Sequence, residues 1–208
     1  MLTEKILSTL SCQRFLTLNE ICKATNIDHL IGQQQLKKLE KDRLIERRFF
    51  AGRSYFKLTD VTKSTSDLGK KTWDKLSQRK LAIQIGQART CYHHLAGQAG
   101  VQLFQWLNQN HLVERLSLDN YVLTAQGKRQ FSHFLVESVQ QTRLQTCIDF
   151  SERLPHLSGA LGTRLLSQLV KNDVVALTSK RQIRINIPLA RWFKEDFLED
   201  KSNQMFMG

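Results

Sequence analysis

Two stretches of this chain, 62 residues apart, carry the same pattern. Leu95, Gly97, Gly100, Leu103, Leu107, Asn110 and Val113 reappear as Leu157, Gly159, Gly162, Leu165, Leu169, Asn172 and Val175. The shared spacing, LxGxxGxxLxxxLxxNxxV, lays apolar residues along one face of a helix. Its recurrence constrains the second half of the chain to two related units. A cysteine precedes each copy, Cys91 and Cys147, with the second spacing six residues longer. A β-rich stretch follows each copy, at residues 120–124 and 183–187. A further helix is expected after each, over 125–137 and 188–198, the second opened by a proline at a first helical position. Each copy therefore reads as helix, glycine-containing helix, hairpin, helix, a small winged-helix-like unit. Glycines three apart cost a free helix about 1 kcal/mol each against alanine. Their expected use is close approach of two helices or two copies, in a compact pseudo-two-fold domain.

The first part of the chain follows a different plan. Leu2, Ile6, Leu7 and Leu10 share one helical face. Thr17 followed by Glu20 is the pattern of a capping box, so a second helix is expected from Leu18 to about Thr25. Asn26 suits a tight turn, because asparagine tolerates left-handed backbone angles. Asp28 then caps a third helix running to about Lys41, with Leu36 and Leu39 facing inward and Gly32 allowing a neighbouring helix to come close. Two β-rich runs, 44–50 and 55–58, are separated by Ala51-Gly52-Arg53-Ser54 and read as a hairpin with Arg53 at its tip. Helix, tight turn, helix and hairpin make a winged helix-turn-helix, which places one helix in a DNA major groove. The outward positions of the third helix are His29, Leu30, Gln33, Gln34, Lys37 and Lys38. A glutamine amide both donates to and accepts from adenine, so Gln33 and Gln34 are expected to read bases. Lys37, Lys38, Arg47, Arg48 and Arg53 are expected to hold phosphates or enter the minor groove, with His29 beside them.

Charge agrees with that partner. The chain carries 31 Lys and Arg against 19 Asp and Glu, a net charge of +12, of which +8 falls in the first 88 residues. A basic excess concentrated on one module favours a polyanion, above all double-stranded DNA. Hydrophobic content of 41% is that of a globular chain and excludes a disordered one. No apolar run is long enough to span a membrane, and the N-terminus lacks the basic and apolar regions of a signal peptide. Four widely spaced cysteines with no CxxC pair imply reduced thiols and a cytoplasmic protein. No GxSxG, P-loop or HExxH pattern is present, so no enzyme activity is expected.

The stretch LNEICKATNIDHLIGQQQLKKLEKDRLIERRFFAGRSYFKLT resembles the winged helix-turn-helix of the ArsR/SmtB type of bacterial transcriptional regulators. The resemblance implies that residues 28–39 form the recognition helix and 47–58 the wing. It also implies dimers formed through helices flanking the winged module, and repression as the commoner action. Two departures stand out. Leu30, Ile31 and Gly32 occupy positions where that family usually has small polar residues. The cysteine-rich motif of its metal sensors is absent, with only Cys22 nearby on the preceding helix. The later motifs ARTCYHHLAG and CIDFSERLPHLSGALG resemble a subgroup of long ArsR-like regulators with a C-terminal extension. His93 stands where an acidic residue is usual. The resemblance covers about residues 1–198.

Taken together, the expected fold is mainly α with short β-hairpins. Residues 1–64 would form the winged helix-turn-helix and 65–88 a linker and dimerisation helix running from Trp73 into Tyr92. Residues 89–198 would form a two-repeat regulatory or assembly domain (89–143 and 144–198), followed by a tail, 199–208. The expected function is that of a DNA-binding transcriptional regulator, acting as a homodimeric repressor whose C-terminal domain senses a signal or stabilises assembly. The alternative is an interaction adaptor that uses winged-helix units without reading DNA. Cys91, His93, His94, Cys147, Asp149 and His156 come from matching parts of the two copies and would converge about a pseudo-two-fold axis. Buried cysteine and histidine are more often core residues than ligands, so no cofactor is expected. If an effector metal binds, its ligands would be Cys91, His94, Cys147 and His156; an unidentified small molecule is the other effector class. Glu152, Arg153 and Arg89 are expected to pair across the same interface.

Overall fold

The computed structural model describes residues 2–62, 65–80, 87–117, 120–178 and 181–198. It is a mixed α/β chain with small antiparallel sheets, dividing into two compact units. The first unit comprises residues 1–84 with 147–155, and the second 85–146 with 156–208.

In the first unit, α1 (Leu2–Leu10) is followed by β1 (Leu16–Thr17), α2 (Leu18–Thr25) and α3 (His29–Lys41). The wing strands are β2 (Ile45–Phe50) and β3 (Arg53–Leu58), and α4 (Asp67–Ser77) comes next. The capping box is present: the Thr17 side chain accepts from Glu20 N, and Thr17 N donates to the Glu20 carboxylate. Asn26 ends α2 in the left-handed region, at φ 55°, and Asp28 caps α3 by accepting from Leu30 N and Ile31 N. These two residues set the turn that aims α3. A Cβ on Gly32 would lie 2.6 Å from Cys22 Sγ, so the glycine is what lets α3 rest on α2. The strands order as β1-β3-β2, with Phe50 opposite Arg53, so the wing turn is only Ala51 and Gly52. Both have positive φ, as a two-residue hairpin turn requires. Ile6, Leu10, Ile21, Leu36, Leu39, Ile45 and Leu58 fill the core.

The second unit contains both copies of the repeat apart from residues 147–155, and the structure corrects the expected order of each copy. The first element of each copy is a hairpin, not a helix. In the first copy β4 (Arg89–Cys91) and β5 (His94–Ala96) precede α5 (Gly97–Gln109), β6 (Val113–Ser117), β7 (Asn120–Leu123) and α6 (Ala125–Leu135). In the second, β8 (Arg143–Ile148) and β9 (Pro155–Ser158) precede α7 (Gly159–Lys171), β10 (Val175–Leu177), β11 (Ile183–Ile185) and α8 (Leu189–Trp192), which continues into one wider turn at Phe193–Phe197. A helix from Trp73 into Tyr92 is likewise corrected. Ser77 ends α4 and residues 89–91 are strand, while 81–86, with Leu81, Ile83 and Ile85, lie outside the described residues. The sheet order β6-β7-β8-β9 joins the two copies through β7 and β8. The leucines and valines of both motifs are buried in one core with Phe131, Trp192 and Phe197.

The glycines have two separate uses. Gly97 and Gly159 start their helices at φ 77° and 67°, a conformation that side chains resist. Gly100 and Gly162 sit against the opposite copy. A Cβ on Gly100 would lie 3.6 Å from the Cβ of His156, and one on Gly162 would lie 3.1 Å from the Cβ of His94. Gly162 thus leaves room for His94, whereas a Cβ on Gly100 would meet His156 at ordinary contact distance and is excluded instead by the Leu95 carbonyl oxygen, 2.4 Å away.

Candidate nucleic-acid interface

With Gly32, Leu36 and Leu39 turned inward, 100° per residue centres the opposite face of α3 on Leu30, Gln34, Lys37 and Lys41. Gln33 lies on one flank, Ile31 and Lys38 on the other, and His29 opens the helix; all are exposed. Lys41 and Ile31 were not singled out from sequence, although the helical spacing that selects Lys37 also selects Lys41. The only acidic residue within α3 is Glu40, and its carboxylate accepts from Arg47 Nε at 3.0 Å. The outward face therefore presents amides, ammonium groups and two aliphatic side chains, with its one carboxylate engaged. Leu30 is 62% exposed and Ile31 45%, so two adjacent aliphatic side chains stand on this face.

The wing supplies less than its sequence offers. Arg53 is exposed on the first residue after the turn, opposite Phe50. Arg47 is exposed but tied to Glu40, so it links the wing to the end of α3. Arg48 is a correction: its side chain is buried, with the guanidinium 5.9 Å from the Phe50 ring, and it is not placed to meet a phosphate. Alternation along β2 misleads here because both faces of the strand are covered near its base, where Ile45 and Glu46 are both buried.

Glu20 anchors the helix that supports α3. Burial pushes its carboxyl up, but Arg153, the Thr17 N–H and Arg79 outweigh that and hold it below the ordinary carboxylate value. Arg153 Nη2 donates to Glu20 at 2.7 Å, and Phe15 N donates to the Arg153 carbonyl at 3.0 Å. The expected pairing of Arg153 and Glu152 with Arg89 is thereby corrected. Arg153 goes to Glu20, Arg14 donates to the Glu152 carbonyl, and Arg89 stands on β4. No local sequence signal marks the Glu20–Arg153 contact, because its partners are 133 residues apart.

The residues considered for a metal separate into two groups. The ligand atoms of Cys91, His94, Cys147 and His156 all lie within 4.8 Å of one another. His93 is exposed in the β4–β5 turn. Asp149 is buried and caps its own loop, its Oδ1 accepting from Ser151 N, Ser151 Oγ and Glu152 N. At Cys22, burial and the nearby Asp28 push the thiol up, which disfavours the thiolate a metal would need at α2.

A helix-turn-helix with a wing, presenting a polar and basic helix face, defines a DNA-binding module. The uncharacterized HTH-type transcriptional regulator YdfF of Bacillus subtilis (strain 168) is 30% identical over 192 residues, covering 86% of this chain and 84% of that protein. The chain belongs to the HTH-type transcriptional regulators, and it is a DNA-binding regulator. MepR, a transcription regulator of the Staphylococcus aureus multidrug efflux pump MepA, is 26% identical in its solved structure, over 41% of this chain and 64% of that one; the TM-score of 0.28 is too low to bear on the fold. No family model matches the chain. Among the described residues, no helix is long and apolar enough to cross a membrane.

Proposed function

We propose that the chain is a homodimeric repressor of the ArsR/SmtB type that sets α3 in the major groove of a two-fold operator. Gln33 and Gln34 read adenine edges, and Leu30 and Ile31 lie against thymine methyl groups. His29, Lys37, Lys38, Lys41 and Arg47 hold the backbone, while the Arg53 wing tip follows the flanking phosphates or minor groove. A dimer is favoured because one such module contacts too little duplex to be specific, and paired half-sites solve that. The second unit senses a signal or stabilises assembly, and it acts only through differential affinity of two arrangements for DNA. The observation that carries the reading is the outward face of α3, polar and basic, with its single carboxylate engaged by Arg47.

The purified chain, offered a pool of random duplexes, should enrich two related half-sites about 10 base pairs apart, centre to centre. Gln33→Ala or Gln34→Ala should then lose about 1–3 kcal/mol of discrimination at one adenine of each half-site. A pool that stays random after selection contradicts the proposal. The exposed Leu30, Ile31 and Phe49 favour a second reading, in which the same face docks a protein. That reading gains ground if duplex binding is absent at low salt.

A further inference from the structure

Most matched positions of the repeat that line the core are apolar, but His94 and His156 are a matched and buried histidine pair, and Cys91 and Cys147 precede them on the two hairpins. Cys91 stands opposite His94 in the β4–β5 register. On the second hairpin Asp149 N donates to the Leu154 carbonyl at 2.8 Å, and the same register sets Cys147 opposite His156. Directly opposed residues on an antiparallel pair point to one side, with Cβ atoms about 4.5–5.5 Å apart, a span suited to chelation. Three of the four residues belong to the second unit, and Cys147 is the next residue along β8 after Thr146 of that unit. The strand itself therefore places the fourth.

The two hairpins bring their pairs to one point. Both histidines are buried and both cysteines half-buried, and the imidazole centroids are 5.2 Å apart. Gly162 leaves the space that His94 occupies. Zinc bound by two thiolates and two imidazoles has bond lengths of about 2.3 and 2.0–2.1 Å, which makes the edges of its tetrahedron about 3.3–3.8 Å. Four ligand atoms already within 4.8 Å of one another need only a small contraction to meet that geometry. Mixed sulfur and imidazole ligands select zinc-class ions over magnesium, calcium or manganese. Four protein ligands leave no open position, which is the arrangement of a structural or regulatory site rather than a catalytic one.

We propose that Cys91, His94, Cys147 and His156 hold one tetrahedral zinc-class ion that clamps the two repeat copies together. The proposal stands independently of the DNA-binding reading. Binding requires deprotonated thiols and neutral imidazoles, so it weakens as pH falls.

The test uses the full chain, reduced and stripped of metal by a chelator, titrated with cobalt(II) and then with zinc. The expected result is one cobalt per chain, with the strong visible bands of a tetrahedral ion, thiolate-to-cobalt charge transfer, and displacement by zinc. Loss of an outer partner typically weakens a metal site 10–100-fold, so Cys91→Ser and Cys147→Ser should each weaken binding by about 100-fold or more. Cys12→Ser should leave both the spectrum and the stoichiometry unchanged. Zinc should raise the melting temperature of the unaltered chain and not that of the two site variants. A folded, reduced chain that takes up no cobalt overturns the proposal. So does a cobalt spectrum that survives both site substitutions, or a Cys91–Cys147 disulfide recovered from protein that binds no metal when reduced.

Discussion

Three helices of this chain have the same length, 13 residues, and opposite uses. The helix α3 buries only Gly32, Leu36 and Leu39 and leaves the rest of its circumference to solvent or partly covered. Its counterpart α5 buries seven residues, including both of its glycines, and α7 buries five. Their beginnings differ too. A carboxylate at Asp28 caps α3, whereas α5 and α7 begin on left-handed glycines with no side-chain cap. The lesson is that a winged-helix element is converted from presenting to packing by two changes: glycines where backbones meet, and apolar residues around most of the circumference. Stability should therefore be concentrated in α5 and α7, and ligand affinity in α3.

The largest effect should come from the packing helices. Leu107→Ala removes a fully buried side chain from α5 and should cost about 2–5 kcal/mol in denaturant unfolding. Lys37→Ala, on the presenting helix, should stay within about 0.5 kcal/mol in the same measurement. Equal losses would erase the contrast between the helices. Next is Gly100→Ala, whose Cβ would lie 2.4 Å from the Leu95 carbonyl oxygen, a backbone atom that cannot rotate away. It should cost about 1–3 kcal/mol despite the better helix propensity of alanine. A stabilised variant would show that the close approach is not needed.

The support beneath α3 is electrostatic and should respond to acid. Because the Glu20 carboxyl is held below its ordinary value, its contribution is complete above the unfolded value, near pH 4.3 by the usual reference. It is lost as pH falls through the lower folded value. Unfolding followed against pH should show a smaller acid-side decline in Glu20→Gln than in the unaltered chain; parallel curves would remove Glu20 from the account. The smallest effect concerns the wing. Ala51 holds φ 48° in a turn that glycine or asparagine prefers, so Ala51→Gly should stabilise by up to about 1 kcal/mol. A destabilised variant would show that the wing tip depends on the alanine side chain.

Much of the presenting module was legible in the sequence. Thr17 with Glu20, Asn26, Asp28 and the Ala51-Gly52 turn each fix local backbone through a side chain or a permitted φ, and such signals need no distant partner. The buried Arg48 was not legible, because alternation predicts its face only where one side of a strand meets water. In the second half the repeat and the hairpin after each glycine-containing helix were readable, but the leading hairpins, β4–β5 and β8–β9, were not. Strands of three residues such as β4 and β5 are too short to show a period of two. The repeat named Cys91, His94, Cys147 and His156 as matched positions. Their convergence depends on how the two hairpins pack, with Gly162 admitting His94 of the opposite copy, which only the packed structure displays.

The most direct test of the central claim, that α3 is the surface that meets DNA, is the salt dependence of duplex binding by the full chain. Each lost phosphate contact should reduce the slope of log affinity against log salt by about 0.9. The account predicts that Lys37→Ala/Lys38→Ala lowers the slope by nearly two, with stability unchanged. An identical slope in the two proteins would contradict it.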